Sequence, residues 1–208
     1  PDLIRDHNHE AKIQKYLEQW GPKVLETPAD NPLPNFAQQC EAMMNARPEV
    51  ISSIMGLYPP KFVSQLKAKR IKWFATVTTV AEAVKAEQAG ADVIVAQGME
   101  AGGHRGTFQA LEAHNNLVGL FSLLPSISNV VNIPVVATGG IADSRGIAAA
   151  LTLGASAVQI GTGFLRSPEA GIAKEWADAI GVTNPEETIA SRVFSGRLGR
   201  SVRNKYTK

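Results

Sequence analysis

Short apolar segments alternate with helical segments along most of this chain, and this alternation limits the possible folds more than any other feature. Apolar segments begin near positions 50, 72, 92, 134 and 157, and helix-forming segments lie between them. Residues 79–82 illustrate the pattern, because Thr79 and Glu82 have the spacing of a capping box at the start of a helix. Strands that alternate with helices form parallel sheets, so the sequence predicts an α/β fold.

The boundaries of the predicted elements follow from apolar periodicity and from the positions of glycine and proline. Residues 27–34 contain three prolines and are predicted to form a loop, and the basic segment after residue 180 is predicted to be irregular. Strands are predicted at 50–56, 72–78, 92–97, 134–138 and 157–160, and helices at 6–20, 35–47, 62–69, 79–89, 117–131, 143–153 and 168–180.

The composition is that of a globular protein. The chain has 208 residues, of which 44% are hydrophobic and 19% charged, and residues 1–208 are expected to form a single domain. A net charge of +2 gives no support for a nucleic-acid partner, and no apolar run reaches the ~20 residues that span a bilayer. The single cysteine, Cys40, cannot form an internal disulfide, and His7 and His9 lack companions for a metal site, so a cytoplasmic protein without a metal is expected.

The strand predicted at 92–97 ends in the most distinctive loop of the chain, residues 98–106, which holds four glycines and His104. Functional loops of parallel sheets gather at the carboxyl ends of the strands. His104 has no apolar neighbours that would make it a core residue, so it is a candidate functional group. Glu100 is interpreted either as an acid or base or as a residue that orients the loop or pairs with Arg105. Arg105 is interpreted either as attracting an anion or as pairing locally.

Two later strands also end in glycine-containing loops, Thr-Gly-Gly-Ile at 138–141 and Gln-Ile-Gly-Thr-Gly at 159–163. Glycines let backbone N–H groups approach an anion, and a helix N-terminus adds positive potential. One interpretation is that these glycines only form tight turns. Because the loops after the last two strands of a (β/α)8 barrel commonly bind phosphate, the pair predicts a phosphate site, whereas no Rossmann or P-loop pattern is present.

Segments 97–106, 134–141 and 154–165, together with residues 195–197 and 203–204, resemble nitronate monooxygenases, formerly called 2-nitropropane dioxygenases. The resemblance implies a (β/α)8 TIM barrel that binds FMN and oxidises alkyl nitronates or nitroalkanes with O2 to a carbonyl compound and nitrite. It implies that His104 is the catalytic histidine beside the flavin. It also implies cofactor contacts through Gln97, Gly102 and Gly103, and through Gly139, Gly140, Gln159, Ile160, Gly161 and Thr162 around the phosphate.

By this resemblance the chain holds only about the last five βα units of the barrel, since the glycine-rich first strand of the family has no counterpart in it. A partial barrel has open edges, so self-association or complementation by a missing segment is expected, and the isolated chain is expected to bind FMN weakly. Two alternatives stay open. One is a related FMN barrel that uses NAD(P)H to reduce a quinone or an enoyl thioester, and the other is a catalytically inactive fragment.

Overall fold

The computed structural model describes residues 6–19, 21 and 35–207, and the chain divides into two compact units, Pro1–Gln39 and Cys40–Lys208. In the first unit, helix α1 (His7–Leu17) begins at Asp6, whose carboxylate accepts the N–H groups of Asn8 and His9 at 3.0 Å. This is an N-cap of the expected kind. The loop predicted at 27–34 lies outside the described residues.

The second unit is an α/β structure in which strands and helices alternate as predicted. The part of helix α2 (Phe36–Ala46) from Cys40 onward precedes the first strand. The strands are β1 (Val50–Ser53), β2 (Lys72–Val77), β3 (Val93–Gln97), β4 (Gly103–His104), β5 (Val135–Thr138), β6 (Ala157–Gln159), β7 (Thr188–Ser191) and β8 (Gly199–Val202), and the remaining helices are α3 (Pro60–Ala68), α4 (Val80–Gln88), α5 (Leu120–Ser128), α6 (Ser144–Thr152) and α7 (Lys174–Val182).

Five strands form one parallel sheet in the order β1-β2-β3-β5-β6, and each neighbouring pair is joined through a helical connection. The core fills the space between this sheet and the helices, with Trp73, Leu66, Ile94, Leu124 and Ile127 all less than 2% exposed. Apolar side chains on β3 are buried along nearly the whole strand, as expected for a parallel sheet covered on both faces. The prediction of a partial (β/α) barrel with five of its strands is confirmed.

A second sheet was not predicted. Its strands are antiparallel and run in the order β4-β8-β7, so the expectation that residues after 180 are irregular is wrong for β7 and β8. These strands are short and lack the alternation of apolar and polar residues from which strands are recognised. β7 and β8 matter for one part of the fold, because β8 pairs with β4, the two-residue strand that ends at His104.

The helix predicted at 168–180 is also corrected. Residues Pro168–Ala170 form a short 3-10 helix, and the α-helix begins only at Lys174. Gly171 lies between them with φ +62°, a left-handed conformation that ends a helix. Among the described residues, every helix is too short or too polar to cross a membrane.

Candidate active site

The carboxyl ends of three neighbouring strands lie side by side. Gln97 at the end of β3 is in register with Thr138 at the end of β5, and Thr138 is in register with Gln159 at the end of β6. The Thr138 hydroxyl donates to the carbonyl oxygen of Gln159 at 2.9 Å. The loops that follow these strands therefore start from one edge of the sheet, as the sequence predicted.

The loops also touch one another. A Cβ placed on Gly140 would lie 3.0 Å from Cβ of Glu100, and one placed on Gly139 would lie 3.0 Å from the backbone nitrogen of Ala101. Both glycines have positive φ, +110° for Gly139 and +69° for Gly140. Tight turning and close packing therefore require glycine at both positions, and the predicted contact with a phosphate stays a prediction.

The loop after β6 closes on the same place from the other side. A Cβ on Gly102 would collide with the hydroxyl oxygen of Thr162, so these residues can approach only because position 102 has no side chain. Gly161 differs from Gly102, Gly139 and Gly140, because its φ is −102° and a Cβ there would meet nothing within 4 Å. The fold does not require a glycine at 161, and the open space beside it suits the approach of a ligand.

His104 ends β4, and its exposed imidazole is fixed by a residue from the far part of the chain. Strand β8 pairs with β4, so that His104 is in register with Gly199. The loop between β7 and β8 carries Ser195, whose Oγ lies 2.5 Å from Nε2 of His104. In the sequence, residues 195–197 were singled out only by the family resemblance. No local pattern around Ser195 predicted its contact with His104.

Gln97 holds the histidine loop by its side chain. Its amide is buried, and its Nε2 donates to the carbonyl oxygen of His104 at 3.0 Å. Its Oε1 accepts the N–H of Gly106 at 2.8 Å. The side chain thus bridges the loop on both sides of the histidine, and its predicted contact with a flavin stays a prediction.

Glu100 and Arg105 both act locally. The Glu100 carboxylate accepts the N–H of Leu120, at the start of α5, with both oxygens at 3.0 Å. This orients the loop, as one of the two interpretations held. The guanidinium of Arg105 is buried against backbone carbonyl groups rather than facing solvent, so the structure favours local pairing over attraction of an anion.

Burial lowers the pKa of Arg105 below its ordinary value, while the nearby carboxylates of Glu82 and Glu100 act in the opposite direction. Glu82 is itself buried, and accepts the Thr78 N–H at 2.7 Å and the Phe108 N–H at 2.8 Å. Within the described residues, no group of three or more His, Cys, Asp or Glu side chains gathers that would hold a metal ion.

The residues predicted around a phosphate fit that ligand in their chemistry. Gly140, Gly161 and Thr162 are exposed and Gly139 is half-buried at the carboxyl ends of β5 and β6. These residues present backbone groups and a hydroxyl, and the side chain of Glu100 packs against Gly140. Helix α6 starts just beyond the first pair, where Asp143 accepts the N–H groups of its first turn at 3.0 and 3.1 Å. Gln159 is exposed and Ile160 half-buried beside Gly161.

The fold and the site together define a (β/α)-barrel protein whose candidate site lies where glycine-rich loops meet at the carboxyl ends of the strands. A sequence profile of the family described as nitronate monooxygenase matches residues 3–208. The chain belongs to the nitronate monooxygenase family.

Individual relatives agree with this. A protein of Staphylococcus aureus (strain Newman) named "Probable nitronate monooxygenase" is 40% identical over 171 residues, which cover 82% of this chain and 48% of that protein. A nitroalkane oxidase structure from Streptomyces ansochromogenes superposes with a TM-score of 0.87 at 32% identity, covering 99% of this chain and 59% of that one. FabK from Thermotoga maritima superposes with a TM-score of 0.72 at 29% identity, covering 99% and 62% respectively. The chain thus spans about half the length of the curated relatives it matches.

Proposed function

We propose that this chain carries the histidine and the phosphate-binding loops of an FMN-dependent nitronate monooxygenase. The reaction is oxidation of an alkyl nitronate or nitroalkane by O2 to a carbonyl compound and nitrite. The observation that supports it most is the meeting of three loops: the one bearing His104 contacts the one bearing Gly139 and Gly140, and Gly102 contacts Thr162. A histidine and the residues proposed to bind the phosphate thereby lie together at the carboxyl ends of the strands.

His104 would act on the substrate through its free ring nitrogen. Ser195 occupies Nε2, which leaves Nδ1 available to a bound nitro compound. A histidine ring nitrogen can accept a proton or donate a hydrogen bond, so it suits proton abstraction from a nitroalkane or a hydrogen bond to a nitronate oxygen. Because the ring is exposed, a substrate reaches it without any rearrangement of the core.

FMN would be held by backbone and hydroxyl groups rather than by charged side chains. Gly139, Gly140, Gly161 and Thr162 would surround its phosphate, and Gly102 and Gly103 would let the ring system approach β4 closely. A Cβ on Gly103 would meet nothing within 4 Å, so space is open beside it. When bound, the flavin supplies the electron transfer between the organic substrate and oxygen, while the protein positions the reactants and the imidazole.

The test uses a nitronate and its parent nitroalkane with the FMN-loaded protein. Release of nitrite with consumption of O2 is the expected result, and His104→Ala should lower turnover of the neutral nitroalkane by about 10²–10⁴-fold while FMN affinity changes little. His114→Ala is the matched control, because His114 lies in the 3-10 helix Ala110–His114 and is exposed. Equal turnover in His104→Ala and the parent would contradict the assignment.

The second candidate is a reductase that takes hydride from NAD(P)H and reduces a quinone or an enoyl thioester. The structural similarity to FabK, at 29% identity, supports this second candidate. Anaerobic mixing of the FMN-loaded protein with NADPH or NADH separates the two. Rapid loss of the oxidised-flavin absorbance would show that the nicotinamide reduces the flavin, and would favour the reductase. An unchanged spectrum would favour the monooxygenase.

A further inference from the structure

Arg105 follows His104 directly, and its side chain is buried beneath the loop that carries the histidine, with 8% of its surface exposed. Its Nη1 donates to the carbonyl oxygen of Gln97 at 2.7 Å. Its Nη2 donates to the carbonyl oxygen of Asn116 at 2.8 Å and lies 3.4 Å from that of Thr78. These carbonyl groups stand at the end of β3, just before α5, and at the end of β2. One guanidinium therefore joins both ends of the connection between β3 and α5, and joins them to the end of β2.

The backbone on both sides of the peptide bond between His104 and Arg105 is also held by hydrogen bonds. The N–H of Arg105 donates to the carbonyl oxygen of Leu198, next to β8, at 2.8 Å. The carbonyl oxygen of His104 accepts from the side chain of Gln97, which also accepts from Gly106. Arg105 in turn bonds the backbone carbonyl of that same Gln97. The histidine peptide is thus fixed from one side by β8 and from the other by a unit made of Gln97 and Arg105.

The identity of the side chain matters for this arrangement. A buried cation carries a large desolvation cost, and here its partners are neutral carbonyl groups rather than a directly contacting carboxylate. An apolar side chain of similar length would fill the space without that cost. What only arginine supplies is a planar group whose N–H donors point in fixed, divergent directions toward several acceptors at once.

We propose that Arg105 is a positioning residue for His104. By tying the ends of β2 and β3 to the segment before α5, its guanidinium fixes the loop so that the imidazole meets Ser195 and keeps one ring nitrogen directed to the substrate. The importance of this for catalysis rests on the proposed function of His104, but the positioning itself is a property of the chain without any ligand.

The test measures the histidine directly in the flavin-free chain. Diethyl pyrocarbonate acylates accessible imidazole nitrogens, and mass spectrometry reports the rate at each histidine separately. Ser195→Ala defines the rate for an imidazole released from its partner. Arg105→Met, similar in size and uncharged, should raise the rate at His104 by about tenfold toward that value, with His114 as the internal reference, and should speed hydrogen exchange at the Gly106 N–H by a similar factor.

Two further variants separate positioning from general stability. Leu66→Ala removes a fully buried side chain of α3 and should lower the free energy of unfolding without changing the rate at His104 relative to His114. Arg105→Lys keeps the charge but not the planar fork, so it should stay folded and still show the raised rate. If Arg105→Met does not fold, Arg105→Lys carries the test alone.

An unchanged His104 rate in the folded arginine variants, or an equal rise in Leu66→Ala, would overturn the proposal. These readings use neither flavin nor nitro compound, so they are independent of the proposed activity. If the parent released no nitrite while Arg105→Lys still raised the acylation rate at His104, the proposed activity would be wrong and the positioning role of Arg105 would be supported.

Discussion

The hydroxyl oxygen of Ser195 lies 2.5 Å from Nε2 of His104, although the two residues are 91 positions apart in the chain. Strand pairing brings them together, because β8 places the loop after β7 next to the end of β4. The contact leaves the imidazole only one free nitrogen. The antiparallel sheet is therefore part of the candidate site and not an appendage of the barrel.

Ser195→Ala is expected to lower turnover of nitroalkane by about tenfold, because an imidazole without its hydrogen-bond partner samples more orientations. Affinity for FMN should change little, since the serine is not among the residues proposed to hold the cofactor. Steady-state nitrite release and a flavin titration measure the two quantities. Ser126→Ala is the control, because its hydroxyl bonds only within helix α5, to the carbonyl oxygen of Ser122. A similar fall in both variants would contradict the assigned role.

Gly102→Ala is expected to separate the loop after β3 from the loop after β6, because the added Cβ would collide with the Thr162 hydroxyl. Weaker FMN binding and a loss of stability of about 1–3 kcal/mol are the expected results. Thr162→Ala removes the colliding oxygen, so the double variant should recover part of the stability lost by Gly102→Ala. Thermal unfolding of the parent, the two single variants and the double variant gives the energy of interaction between the two positions. Additive losses would show that the two positions do not meet.

Gly161→Ala tests the open space beside the residues proposed to bind the phosphate. Since its φ is −102° and a Cβ would meet nothing within 4 Å, the free energy of unfolding should change by less than about 0.5 kcal/mol. Affinity for FMN should nevertheless fall, because the methyl group would stand where a phosphate is proposed. Unfolding in urea and equilibrium flavin titration give the two values. An unchanged affinity would remove Gly161 from the proposed set.

The stability contributed by Asp92 is expected to depend on pH. Burial alone would raise its pKa, but the N–H of Trp73 and the ammonium groups of Lys67 and Lys72 prevail and hold the pKa below its ordinary value. A carboxyl group with a lowered pKa stabilises the fold above its unfolded pKa, about 3.9, and loses this effect as pH falls through the folded value. Asp92→Asn should therefore be less stable than the parent at pH 7, and the difference should shrink below about pH 4. A difference that is constant with pH would exclude the charge as its cause.

The edge strands of the parallel sheet are expected to drive self-association. Within the described residues, β1 and β6 each pair on one side only, and Val50 on β1 is 42% exposed. Unpaired apolar edges recruit other strands, and a lysine there opposes pairing. Val50→Lys should therefore lower the mass measured by light scattering at high protein concentration. Val130→Lys is the matched control at a similarly exposed valine outside the strands.

The parallel sheet could be predicted from the sequence because its signals are local and repeated. β3 is an apolar run followed by a glycine, and α4 is capped by Thr79, whose hydroxyl accepts the Glu82 N–H as the capping pattern indicated. The Glu82 carboxylate accepts the N–H of Thr78 rather than the Thr79 N–H of a full capping box. The meeting of the loops followed from the general rule for parallel strands, and the positions of Gly102 and Gly140 agree with it.

What the sequence could not show depends on distant partners. The pairing of β4 with β8 involves two residues of β4, too few for any periodicity to be seen. The environment of Arg105 is set by carbonyl groups of Gln97, Thr78 and Asn116, and no sequence pattern specifies which carbonyl groups a buried guanidinium will reach. Family resemblance drew attention to the segment around Ser195 without indicating what it touches.

The small antiparallel sheet also has a consequence for how the molecule acquires its native state. Parallel strands with nearby helices form from contacts of modest sequence separation, whereas the support for His104 must wait for a segment almost a hundred residues later. In refolding experiments the imidazole should therefore become ordered after the core tryptophan, Trp73, is already shielded from water. The working geometry of the reactive group thus depends on a segment that is distant from it in the chain.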